Sequence, residues 1–141
     1  MNTHHHDPMV LSGADLRALF NDRVIAPGDV GYDKARTVFY GGIDRRPAVI
    51  IRPADASEVA RVVSLARETG LELAVRSGGH SVAGHGISDG GIVLDLSGMR
   101  SLDIDAGRRT AWAEAGLTAG ASRASRIRSC RCSRMKGRRW T

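Results

Sequence analysis

Aromatic side chains are scarce in this chain, with two each of Trp, Tyr and Phe among 141 residues, while 42% of the sequence is hydrophobic. That balance suits a small α/β domain with a core of Val, Ile, Leu and Ala. No apolar run approaches the roughly eighteen residues of a membrane span, so none is expected. The first residues, Met1-Asn2-Thr3-His4-His5-His6-Asp7-Pro8, lack both a basic n-region and an apolar h-region. This argues against a secretory signal and makes the cytoplasm the expected compartment. His4-His5-His6 reads as a terminal tract with no part in the fold. The two cysteines, Cys130 and Cys132, form a two-thiol tract without the two further ligands that a zinc site needs. No internal repeat is present.

Acidic residues are missing from one stretch only. From Ser122 to Thr141 there are seven Arg and one Lys with no Asp or Glu, whereas the chain up to Ala121 carries thirteen Lys and Arg against fifteen acids. The net charge of +6 therefore belongs to the tail and says nothing about partners of the part before it. After Leu117 there is neither leucine nor valine, and the tail shows no helical or strand period. Such a composition cannot bury enough apolar surface to offset roughly 1–2 kcal/mol per residue of backbone ordering entropy, so disorder is expected. Two explanations of the tail compete. One is a basic arm with salt-dependent attraction to nucleic acid or another anionic surface; the other, favoured by the abruptness of the change, is a shift of reading frame near residue 121. Translating the downstream DNA in the other frames tests the second.

Between these ends the pattern is that of one α/β domain. Asp15 to Phe20 has apolar positions spaced as in a short helix, closed by Pro27-Gly28. Tyr32 to Tyr40 is ambiguous. Ala48 to Ile51, bounded by Pro47 and Pro53, is a short buried strand. Asp55-Ala56-Ser57-Glu58 fits a capping box and opens a helix with Val59, Val62, Val63 and Ala66 on one face, ending at Gly70. Leu71 to Val75 alternates as a strand. The resulting βαβ unit should have parallel strands and deliver the loop Arg76 to Gly91 at a carboxyl end, where ligands of α/β sheets gather. Ile92 to Leu96, Ser101 to Asp105 and Thr110 to Ala115 read as further strands, the last two joined by a turn at residues 106–109.

The loop opens with Arg76-Ser77-Gly78-Gly79-His80-Ser81. Glycines without Cβ adopt positive φ freely and let successive N–H groups converge on an anion such as a diphosphate. An imidazole just beyond them is a competent nucleophile near neutral pH. Gly84, His85 and Gly86 continue the loop. Each residue also has a plainer reading: His80 as a loop histidine bonded to backbone, Arg76 as an exposed strand-end cation rather than a diphosphate partner, and Ser81 and His85 as turn residues. His80 and His85 have no carboxylate or thiolate at ligand spacing, so no metal site is expected.

Three segments together, Arg46-Pro47-Ala48-Val49-Ile50-Ile51-Arg52-Pro53, Arg76 to Ser81, and Asp89-Gly90-Gly91-Ile92-Val93-Leu94-Asp95-Leu96-Ser97, resemble the amino-terminal part of FAD-linked oxidases of the berberine-bridge and 6-hydroxynicotine oxidase type. The similarity continues through Met99-Arg100 and Ala111 to Thr118. It implies an α/β fold, namely the first lobe of the two-lobed PCMH-type FAD-binding domain, over residues 10–121, after a leader of residues 1–9 and before the tail of residues 122–141. It implies FAD held by Arg76, Ser77, Gly78, Gly79, His80, Ser81, Gly84, His85 and Gly86, and covalent attachment of the flavin through His80. It also implies oxidation of a small organic substrate, with oxygen or another acceptor taking the electrons, and no membrane or nucleic-acid partner. Some relatives attach the flavin a second time through a cysteine, but neither Cys130 nor Cys132 stands in a matching context. A complete oxidase of this type is several times longer and keeps its general base in the carboxyl-terminal portion, so no catalytic base is named here. The expectation is an FAD-binding portion that does not turn over substrate alone.

Overall fold

The computed structural model describes residues 13–118 and 120, and among these residues three α-helices and six strands run between Gly13 and Ala113. The leader and the basic tail read from the sequence lie outside the described residues. The helices are α1 (Gly13–Phe20), α2 (Tyr32–Arg36) and α3 (Ala56–Thr69). The strands are β1 (Val24–Ile25), β2 (Val49–Ile51), β3 (Leu73–Arg76), β4 (Ile92–Asp95), β5 (Leu102–Asp105) and β6 (Thr110–Ala113). The ambiguous stretch from Tyr32 resolves into the short α2, which Gly31 precedes at φ +96°.

Asp55 caps α3, its side chain accepting from the N–H groups of Ser57 and Glu58, and Gly70 ends the helix at φ +68°. Glu58 reaches back as a capping-box glutamate does, but to the N–H of Ala54. It is itself buried and takes a hydrogen bond from Arg23. The inward face of α3 differs from the sequence expectation by one position. Val62, Leu65 and Ala66 are buried and Val59 packs partly against them, whereas Val63 is exposed.

Four strands form one sheet in the order β1-β2-β4-β3. β2 and β3 are parallel as expected, yet they do not touch: each pairs with β4, which lies between them. The two inner places go to the strands that are apolar along their runs, Val49-Ile50-Ile51 and Ile92-Val93-Leu94, each buried on both faces. Alternation then sorts the core. Val49, Ile51, Ile92 and Leu94 face α1 and α3, while Ile50, Val93 and Ala74 face Tyr32, Ala35, Val38 and Ile87. β5 and β6 make a separate antiparallel hairpin with Asp105 opposite Thr110, so the expected turn at 106–109 is present. That hairpin is exposed along β6, Trp112 included.

Candidate flavin site

Arg76 ends β3 and stands in register with Asp95 at the end of β4. By the two-residue period of a strand both share the face of Ala74 and Val93. The side chain is 6% exposed, so Arg76 is not a surface cation, and it lines the floor of the loop cleft. Its Nη2 donates to Asp95 Oδ2 at 2.9 Å and to the carbonyl of Ala35 at 2.7 Å. Its aliphatic stem underlies the loop, since a Cβ on Gly79 or Gly86 would lie 3.6 Å from it. Nη1 is buried and has no hydrogen-bond partner among the described residues.

Asp95 is the residue that sequence reasoning missed. Its carboxylate also accepts from Arg52 Nε at 3.0 Å and from the N–H of Ser97 at 3.1 Å. Burial acts to raise its pKa, but Ser97, Arg76 and Arg52 together outweigh it and hold the carboxyl below its ordinary value. A depressed folded-state value means a stabilisation that is complete above the unfolded carboxylate range, near pH 4, and is lost as pH falls through the folded value. Asp95→Asn should therefore flatten the acid limb of a stability-versus-pH curve while leaving its slope above pH 5 unchanged. An unaltered acid slope, measured by urea midpoints from pH 2 to 7, would remove Asp95 from that role.

Beyond Arg76 the chain turns through a shallow cleft of about 260 Å³ lined by Val75, residues 76–81, His85 and Gly86. Gly79 lies at φ +69°. A Cβ on Gly78 would lie 3.0 Å from Cδ2 of His80, so the imidazole packs close over that glycine. Backbone atoms of Gly78 and side-chain or backbone atoms of His80 make no hydrogen bond to another described residue. Ser81 is taken up in a turn, its Oγ accepting from the N–H of His85 at 3.1 Å. Ser77 Oγ donates to the carbonyl of Ala115, which draws the segment after β6 onto the loop. Gly84, at φ +76°, leaves space for Ile43, and Arg45 pins the far limb through the carbonyls of Gly84 and Ile87 at 3.1 and 2.9 Å. His80 is exposed, with its ring centroid 4.6 Å from that of Phe39. Among the described residues, no three His, Cys, Asp or Glu side chains converge as metal ligands, and no helix is long and apolar enough to cross a membrane.

These features suit an anionic cofactor with a reactive ring system. Unengaged amides at the carboxyl end of a parallel strand can receive a diphosphate, two glycines leave its approach open, and an accessible imidazole stands at the rim. The class is that of an α/β nucleotide-cofactor domain. Residues 47–124 match the family described as the FAD binding domain, more than half of the chain, and the chain belongs to that family. FAD is thus its cofactor, and the chain is part of an FAD-binding domain of the kind found in FAD-linked oxidoreductases. It is 42% identical over 97 residues to (R)-6-hydroxynicotine oxidase of Paenarthrobacter nicotinovorans, covering 69% of this chain and 21% of that protein. It is 33% identical over 84 residues to berberine bridge enzyme-like 9 of Arabidopsis thaliana, covering 58% and 16%. The crystal structure of 6-hydroxy-D-nicotine oxidase from Arthrobacter nicotinovorans superposes with a TM-score of 0.70 at 40% identity, covering 74% of this chain and 23% of that one. The chain spans about a fifth of the length of these relatives.

Proposed function

We propose that the loop from Ser77 to Gly86 holds the diphosphate of FAD and that His80 carries the flavin covalently. The observation behind this reading is that Gly78 and His80, at the carboxyl end of β3, make no hydrogen bond to another described residue. FAD held there would supply the redox chemistry of the complete protein, hydride acceptance from a small organic substrate with dioxygen or another acceptor taking the electrons. The loop's own work is to bind and orient. Gly78 and Gly79 present N–H groups, Ser81 and Gly84 keep the turn, and Arg76 acts from beneath as a support. Attachment would leave His80 as the nucleophile, its imidazole N–H and a C–H of the flavin 8α-methyl group being exchanged for one N–C bond. Two protons and two electrons leave, and dioxygen takes them as hydrogen peroxide.

Two variants of the full chain, incubated with FAD, test the assignment. His80→Ala should keep reversible FAD binding and lose all acid-stable flavin, because the amides remain and the nucleophile does not. Gly79→Val should weaken FAD retention by about 5- to 30-fold, the equivalent of roughly 1–2 kcal/mol of left-handed backbone strain. Acid-stable flavin on His80→Ala would place the link elsewhere, and parent-like retention by Gly79→Val would take the diphosphate away from this loop. The 141-residue chain alone should not oxidise amines, alcohols or sugars; measurable turnover would overturn that part of the reading.

A further inference from the structure

Phe39 is 69% exposed in a chain with only two phenylalanines, and nothing in the packing of the core requires it there. Two contacts tie it to the flavin loop. Its backbone N–H donates to the carbonyl of Gly79 at 3.3 Å, and its ring lies against that of His80 at 4.6 Å between centroids and 40° between planes. Tyr40 meets the same ring edge-on at 5.3 Å, which restricts how Phe39 can turn. Toward its own backbone the imidazole closes on Gly78, with Cδ2 and Nε2 at 3.0 and 3.7 Å from where a Cβ would stand. His80 therefore sits in a slot formed by the bare backbone of Gly78 and the ring of Phe39.

We propose that Phe39 is a positioning residue for His80, setting the plane of the imidazole so that a ring nitrogen faces the carbon it attacks. This rests on the reading of His80 as the attachment point. Covalent attachment requires a near-attack geometry, and a freely rotating imidazole on a glycine loop spends little time in one. An aromatic contact of this kind biases that rotation by a factor of about two to ten. Because Phe39 is exposed, its replacement leaves the core untouched, so the fold and the positioning effect separate.

The test uses the full chain with FAD as the probe. Phe39→Ala and Phe39→Leu should slow acquisition of acid-stable flavin, followed by intact mass, about two- to tenfold at unchanged reversible FAD affinity and unchanged thermal midpoint. Phe39→Tyr should restore the rate, as loss of mere bulk would not. Without flavin, the ring protons of His80 should be displaced upfield by the Phe39 ring current, and that displacement should vanish in Phe39→Leu while the His85 signals stay in place. Parent-like loading in Phe39→Ala, or His80 signals indifferent to Phe39→Leu, overturns the proposal. If the parent carries flavin on another residue, the attachment reading falls and takes the role of Phe39 with it. Loading at His80 that ignores Phe39 removes the role alone.

Discussion

Replacing Asp95 with Ala should lower stability by about 3–5 kcal/mol, the usual cost of leaving a buried partner charge uncompensated. Arg76 keeps its buried guanidinium in that variant, with the carbonyl of Ala35 as its remaining acceptor. Against a typical 5–15 kcal/mol for a whole domain, such a loss brings the chain close to unfolding at room temperature. The informative comparison is with Arg76→Met combined with Asp95→Leu, which removes both charges and fills similar volume. The double variant should be more stable than Asp95→Ala, since what hurts is the orphaned cation rather than the missing pair. Urea midpoints of Asp95→Ala and of the double variant measure this, and a double variant no better than Asp95→Ala would mean the pair does not act as a unit.

The second large effect is expected at Gly116. A Cβ there would stand 2.0 Å from the carbonyl oxygen of Leu96 and 2.7 Å from that of Met99. Both obstacles are backbone, so neither can rotate away. Gly116 also donates its N–H to Met99 at 2.9 Å, and the neighbouring Ala115 accepts from Ser77. Gly116→Ala should cost about 1–3 kcal/mol or more through overpacking, and it should loosen the flavin loop through the Ser77 contact. Gly42→Ala is the control, because nothing lies within 4 Å of its would-be Cβ. Circular dichroism melts should show a clear drop for the first and little change for the second; similar melts would mean the segment after β6 can shift at little cost.

Local chemistry made most of the elements legible. The cap of α3 and its glycine stop follow from Asp55 and Gly70, and the hairpin follows from a polar turn between two alternating stretches. The parallel direction of β2 and β3 follows from a helix of α3's length between them. Sheet order did not follow, because Val49-Ile50-Ile51 and Ile92-Val93-Leu94 are both apolar along their runs, and that pattern alone does not say that the later strand inserts between β2 and β3. The site divides in the same way. A glycine pair and a histidine after a strand mark a loop, so Gly78, Gly79 and His80 could be named. The inward turn of Arg76 could not, because its partner stands nineteen positions later and is brought opposite by register. One signal was present: the run Ile-Val-Leu ends in a carboxylate, and a charge at the end of a fully buried strand requires a countercharge. Phe39 offered no comparable sign, lying within a stretch of ambiguous period.

The place of β4 in the sheet also sets the order in which this chain can gain structure. β2 and β3 lie on either side of a strand that comes after both of them in sequence, so the earlier βαβ segment has no ladder of its own to close. As the chain is made, α3 can form locally and β2 can pair with the earlier β1, but β3 and the other edge of β2 wait unpaired until Ile92 to Asp95 arrives. Docking of that strand completes both parallel ladders and brings Asp95 to Arg76 in one event, closing loops of roughly twenty and forty residues together. Assembly is then a single late, non-local step, slow by the measure of contact order. Until it happens, the loop destined for the cofactor has no floor.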